Sequence, residues 1–281
     1  MHPRGDTQRT PAVNVLVPTL GLLATALAMF VLWRRQLVTR NAGTVDVAWA
    51  ASIGALALLY AATGDAWGPR RVLVGVLAAL WSFRLAQHLY VRVAGEPEDG
   101  RYAAMRTSLG ARFDRTMLWF FQAQALLAWL LALPFLFLAT ASDPTLDHWR
   151  TTDMVAVLLW VVSVVGESVS DRQLAAWREN PANKGRTCRA GLWAYSRHPN
   201  YFFEWLHWCT YPLLALGFAH GAWLWLAPLA LLILVTKVTG IPPTEARAVA
   251  SRGDDYRDYQ RTTNAFFPGP RRKRANGESP A

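Results

Sequence analysis

"NVLVPTLGLLATALAMFVLWRR", residues 14–35, opens the chain's first long apolar run and closes it with two arginines. Residues 14–33 contain no charged side chain, and as a helix they would rise about 30 Å, the thickness of a bilayer's hydrocarbon core. A soluble amphipathic helix of that length would show a polar face, which this run lacks. Nor does it read as a cleaved leader, because the apolar stretch is too long and ends in "WRR" rather than at a small-residue cleavage site. It reads as a first transmembrane helix.

Six further runs of similar character follow, at 44–63, 71–91, 117–140, 154–170, 200–218 and 221–240. The expected fold is therefore all-α, an integral membrane bundle of about seven transmembrane helices with polar cytoplasmic loops. Residues 1–267 read as a single transmembrane domain and 268–281 as a basic tail, disordered or resting on anionic headgroups. An odd number of crossings puts the termini on opposite sides, and lysine and arginine decide which is which. Segments 34–43, 92–116, 171–199 and 241–281 carry 3, 5, 6 and 8 of these residues, against 5 in the N-terminal tail and the opposite loops. The N-terminus is thus expected outside and the C-terminus in the cytoplasm. The net charge of +10 is explained by this bias, so it does not argue for a nucleic-acid partner. Cys188 and Cys209 are the only cysteines. One falls in an expected cytoplasmic loop and the other inside a span, which offers neither a disulfide nor a thiolate metal site.

Ionisable residues inside spans are costly and so mark functional positions. Glu167, Asp171 and Arg178 lie close to one helical stripe leaving the fifth span. Asn200, Glu204 and His207 share a face of the sixth, Arg84 and His88 a face of the third, and Asp46 opens the second. Such stripes could converge on one polar chamber; a structural pair such as Asp46 with Arg84 is the simpler account of any single residue. In "YSRHPNYFFEWLHW" (195–208), Pro199 suits the first turn of a helix and Ser196 or His198 its cap. The free N–H groups of that helix start, beside Arg197 and His198 and after Lys184, Arg186 and Arg189, would make a phosphate site without a glycine-rich loop. No dinucleotide-fold fingerprint, P-loop, HExxH or CxxC motif is present.

"LWAYSRHPNYFFEWLHW" (192–208) resembles the C-terminal domain of the steroid 5-alpha-reductase family, most of all its bacterial branch of integral membrane proteins. The likeness extends to "SDRQLAAWR" (170–178), to "GIPPTEARAVASRGDDYRDYQRTTNAFFP" (240–268), and to "LWSFRLAQHLYVRV" with "EDGRY" between residues 80 and 102. It implies an NADPH-dependent reductase of a carbon–carbon double bond, acting on a steroid-like or other unsaturated lipid from the bacterial inner membrane. Asp171, Arg178, Asn200 and Glu204 fall where that family binds its cofactor, in a half of the chain running from about 154 to 267. Arg197, His198 and Tyr201 flank the site, and Glu245, Arg252, Tyr256 and Tyr259 belong to the cap over it. The substrate half departs from the steroid enzymes: Asp46 opens the second span without their Gln-Glu pair, and Trp81 stands near their tyrosine. The candidates for polarising the substrate are Asp46, protonated by burial, and Tyr102, reaching back from "EDGRY".

Two other functions are open. "RHPxY" also resembles membrane methyltransferases of the isoprenylcysteine and phospholipid types, which use S-adenosylmethionine. Tyr201 followed by "FFEW", and Glu245 alone in "PPTEAR", depart from their pattern. A lipid-binding or transport protein is the non-enzymatic alternative, although the polar residues gather near the cytoplasmic end and not at midplane on broken helices.

Overall fold

The computed structural model describes residues 15–95 and 98–272. Among them the fold is all-α, with a single isolated bridge between Ser196 and Asn264 in place of any sheet. The chain divides after Asp147 into two compact units.

The first unit contains α1 (Leu16–Thr39), α2 (Thr44–Thr63), α3 (Gly68–Gly95), α4 (Gly100–Leu109) and α5 (Phe113–Thr140). Helix α1 turns Pro18, Gly21, Thr25 and Met29 inward and leaves Leu20, Leu23, Leu27 and Val31 exposed. A row of exposed leucines would be an aggregation liability in water and is ordinary against lipid tails. Helices α2 and α3 approach closely through small residues: a methyl group added at Gly75 would sit 2.7 Å from Ala61 Cβ, and one at Gly54 would overlap Ser82. There the Ser82 hydroxyl accepts from Gly54 N at 3.1 Å and donates to Ala50 O, entering the backbone ladder of α2.

The second unit contains α6 (Thr151–Glu179), α7 (Pro199–Trp208), α8 (Thr210–Leu214), α9 (Leu226–Ile233), a π-helical turn (Leu234–Val238), α10 (Ile241–Arg252) and α11 (Asp254–Thr262). Pro199 takes the first turn of α7, as its sequence predicts. His198 occupies the N-cap position without a side-chain bond to the helix. Ser196 instead accepts from His198 N at 3.1 Å and donates to Phe266 O at 2.8 Å.

Among the described residues, six helical segments are long and apolar enough to cross a membrane: Leu16–Thr39, Thr44–Thr63, Gly68–Ala94, Gly100–Thr140, Thr151–Glu179 and Gly221–Arg252. With its lipid-facing exterior, the chain is an all-α membrane protein. The sixth expected segment, 200–218, is not one continuous helix. It breaks at Cys209 between α7 and α8 and ends in turns at Gly217 and His220, both with positive φ. Pro212 explains the break, because it has no N–H for the carbonyl of Trp208 and its ring crowds that carbonyl. The two pieces still run back along α6. Asn200 Nδ2 donates to Asp171 Oδ1 at 3.2 Å near one end, and Arg150 Nη2 donates to Leu214 O at 2.7 Å near the other. The last segment bends at Thr239–Gly240. Beyond the bend α10 carries Glu245, Arg247 and Arg252, so the apolar crossing ends before it.

Candidate functional site

In the second unit, the loop between α6 and α7 is fastened to its surroundings at every turn. Gln173 on α6 accepts from Leu192 N at 2.9 Å, and Trp193 Nε1 donates to Ser170 O at 3.0 Å. Gly191 sits at φ 57 with Gln173 against its Cα, a position where a side chain has neither the torsion nor the room. Farther along, Arg197 and His198 reach α10 and α11. Arg197 Nε donates to Glu245 Oε1 at 2.6 Å, and its Nη1 donates to the carbonyls of Gln260 and Thr263 at 2.9 and 2.6 Å.

Glu245 is the hub. Besides Arg197, it lies 3.2 Å from His198 Nε2 and accepts from Gln260 Nε2 at 2.7 Å and from the Tyr256 hydroxyl at 3.4 Å. A carboxylate acceptor puts the His198 proton on Nε2. Burial alone would raise the Glu245 pKa. The hydrogen bonds from His198, Arg197 and Gln260 outweigh it and hold the group down at about 2. Tyr201 stacks on the His198 ring at 5.3 Å, and its hydroxyl meets Thr244 Oγ1 at 3.4 Å. Tyr259 donates to Ser196 O at 3.1 Å and to Trp193 O, and burial raises the pKa of both Tyr256 and Tyr259. Arg197, His198, Tyr201, Glu245, Tyr256 and Tyr259, far apart in sequence, therefore meet in one network.

Next to this network lies a cleft of about 310 Å³, lined by Trp177, Arg178, Lys184, Arg186 and Arg252 among others. Arg252 also packs its guanidinium 4.9 Å from the centre of the Tyr256 ring, tying the cleft to the network. Four cations against the single carboxylate of Glu179, with an indole beside them, form a donor set suited to a phosphate-bearing nucleotide. The cations expected together at the start of α7 are thus divided. Lys184 and Arg186 join Arg178 in the cleft, Arg197 is bound to Glu245, and Arg189 is paired with Asp255 and Asp258 at 3.0 and 2.7 Å.

Asp171 and Asn200 are joined directly, and Asn200 Oδ1 also accepts from Tyr201 N at 3.0 Å. Glu204 lies one turn deeper and accepts from Trp208 Nε1 at 3.1 Å. Gln260 was not anticipated. It lies one helical turn beyond Tyr256 on the same face of α11, and that i, i+4 spacing is the signal that could have found it.

The first unit holds the other two candidates. Asp46 Oδ1 accepts from the Tyr102 hydroxyl and Oδ2 from Arg101 Nη2, both at 2.9 Å. Both oxygens are engaged, and the simple pairing with Arg84 gives way to Arg101. Arg101 is held in turn by Asp99, which also pairs with Arg92. Burial acts to raise the Asp99 pKa, but bonds from Arg101 to its carboxylate prevail and lower it. Glu98 performs the same office for Arg106, at 2.7 and 3.0 Å, while accepting from Ala42 N at 3.0 Å.

The chain is similar to an uncharacterised protein, C594.04c, of the fission yeast Schizosaccharomyces pombe, at 26% identity over 276 residues covering 89% of this chain and 79% of the relative. No solved structure matches it. The family model described as "Protein of unknown function (DUF1295)" matches residues 32–263, a range that includes every candidate residue from Asp46 to Tyr259. The chain belongs to that family.

Proposed function

We propose that this protein is a membrane-bound, NADPH-dependent reductase of a carbon–carbon double bond in a lipid, steroid-like or otherwise unsaturated. The observation that carries the reading is the basic cleft beside the Glu245 network. Arg178, Lys184, Arg186 and Arg252 would hold the phosphates of the dinucleotide and Trp177 would pack on a base or sugar. When bound, the cofactor supplies a hydride; the chain's own work is to orient, to exclude water and to manage the accompanying proton. Asp171 and Asn200 brace one another at the mouth of α6 and α7. The Arg197–Glu245 network fixes the C-terminal cap beside the cleft. Asp46 and Tyr102 are the groups proposed to polarise the substrate. Tyr102 carries the O–H and Asp46 holds it in place. The protein would lie in a bacterial inner membrane, its basic end facing the cytoplasm, where soluble NADPH can reach the cleft.

The experiment is calorimetric binding of NADPH and of S-adenosylmethionine, side by side, to the detergent-purified full chain. Binding of NADPH alone is the expected result and justifies a screen of lipid enones. Binding of S-adenosylmethionine alone would make the protein a methyltransferase. Silence with both, in folded protein, would favour a lipid-binding or transport role.

A further inference from the structure

After α11 the chain makes a closed loop. Thr262 ends the helix, and Arg272 N donates back to Thr262 O at 2.9 Å. Pro268 and Pro270 interrupt the run of backbone donors between them, so no helix or ladder forms there. The loop is fastened instead to the stretch before α7. Arg197 N donates to Asn264 O at 2.9 Å, Ser196 Oγ to Phe266 O at 2.8 Å, and Gly269 N to Tyr195 O at 3.1 Å. The side chain of Asn264 adds one more tie, its Oδ1 accepting from Arg272 Nη2 at 3.2 Å.

The two parts of this loop differ in chemistry. Its turn carries Phe266 and Phe267, whose rings meet those of Phe202 and Trp205 edge-on at between 5.6 and 6.1 Å. Trp205 Nε1 donates in turn to Pro228 O on α9, a helix whose Leu226, Leu229 and Ile233 are exposed. Phe267 itself is 54% exposed. Aromatic rings beside lipid-facing aliphatic residues collect where hydrocarbon meets headgroups. The returning part is basic. Arg271 and Arg272, both exposed, come back beside Arg189, and with Thr262 and Asp258 they line a hollow of about 260 Å³. Asp255 and Asp258 position Arg189, and Asp258 also lies 3.9 Å from Arg261. Three arginines thus face the hollow against one aspartate, which is itself shared between two arginines.

We propose that this hollow holds the headgroup phosphate of an anionic phospholipid from the surrounding membrane, with the acyl chains alongside Phe267. The site is separate from the cleft of Arg178 and Arg252 and does not depend on the reductase reading. Guanidinium forks match the paired oxygens of a phosphate, and arginine is less strongly hydrated than lysine, which suits a site half in water. A basic segment next to a membrane attracts anionic lipid in any case. The closed loop adds position: the bonds of Arg272 to Thr262 and Asn264 hold both arginines near Arg189, so one headgroup per chain is bound instead of a diffuse layer. A free phosphate ion would satisfy the same cations but would gain nothing from Phe267.

Native mass spectrometry of the full chain, released from vesicles of phosphatidylcholine and phosphatidylglycerol in equal parts, counts the lipids that stay bound. The expected result is one retained phosphatidylglycerol per chain. An arginine near anionic lipid contributes about fivefold in affinity, so Arg271→Ala should cut retention about fivefold and the double variant Arg271→Ala, Arg272→Ala about thirtyfold. The bond from the backbone N–H of residue 272 to Thr262 uses the main chain alone and survives both changes. Unfolding temperatures in pure phosphatidylcholine, expected to match the wild type, confirm that the loop is intact. Retention unchanged in both variants, or several phosphatidylglycerols held with no preferred count, overturns the site. Inorganic phosphate at millimolar concentration should leave the lipid in place. If it displaces the lipid, the hollow belongs to a soluble phosphate and the lipid assignment falls.

Discussion

Arg197 and Glu245, 48 residues apart, are joined at 2.6 Å through Nε and at 3.3 Å through Nη2, with both side chains almost wholly enclosed. The fork of the guanidinium spans both carboxylate oxygens while its remaining donor holds two carbonyls of the C-terminal segment. Removing one partner leaves the other buried and charged, which costs about 3 kcal/mol. Arg197→Ala is therefore expected to destabilise the second unit by that order. Arg197→Lys should lose roughly half as much, because a lysine retains the charge without the fork. Thermal unfolding, with hydrogen exchange to locate the loosened segment in 254–269, checks both.

Glu245 also sets a pH dependence. Its pKa is held at about 2, below the ordinary 4.5. A depressed carboxyl stabilises the fold fully above its unfolded value and loses that contribution as the pH falls from 4.5 through 2. The melting temperature of the wild type should fall across that window more steeply than that of Glu245→Gln, which begins lower and stays flatter. Parallel profiles for the two proteins would count against the network as drawn.

The cleft predicts a graded effect on binding. Arg186→Ala and Arg252→Ala each remove one cation from the cleft, and under the proposed reductase function each should weaken NADPH about tenfold, or roughly 1.4 kcal/mol. Arg186 makes its backbone bond to Asn183 through N alone, so its removal leaves the loop intact. Titration calorimetry on both variants, at two salt concentrations, separates lost contact from lost folding.

In the first unit, Gly54→Ala would place its methyl 2.4 Å from Ser82 Oγ and 2.6 Å from Ser82 Cβ. Overpacking of this kind costs about 1–3 kcal/mol. Gly54→Ala combined with Ser82→Gly should recover most of the loss, since the obstructing atoms are gone. Additive losses in the double variant would show that the clash is not the cause.

Much of this architecture is legible along the chain because hydrocarbon imposes a length and a composition on every crossing. The stripe Asn200, Glu204, His207 is equally plain, since helical periodicity depends only on neighbours. The break at Cys209 was written in Pro212 and Gly217, yet the apolar count of 200–218 outweighed those signals. What could not be read was partnership at a distance. Asp46 finds Arg101 rather than Arg84, and Glu245 finds Arg197 and Gln260, across separations of 55, 48 and 15 residues. No periodic pattern links such positions; only the folded loops do.

The break between α7 and α8 bears on how the chain enters its membrane during synthesis. Glu204 and His207 would each oppose insertion of this segment by itself, a charged group at the centre of a helix costing about 3 kcal/mol at the translocon. The interrupted helix offers less continuous apolar surface to offset that penalty. The segment is fastened to α6 at both ends, by Asn200 to Asp171 and by Arg150 to the carbonyl of Leu214. Helix α6, long and unbroken, would therefore wait at the insertion channel until α7 and α8 emerge, and the three would leave for the bilayer together as a preassembled hairpin.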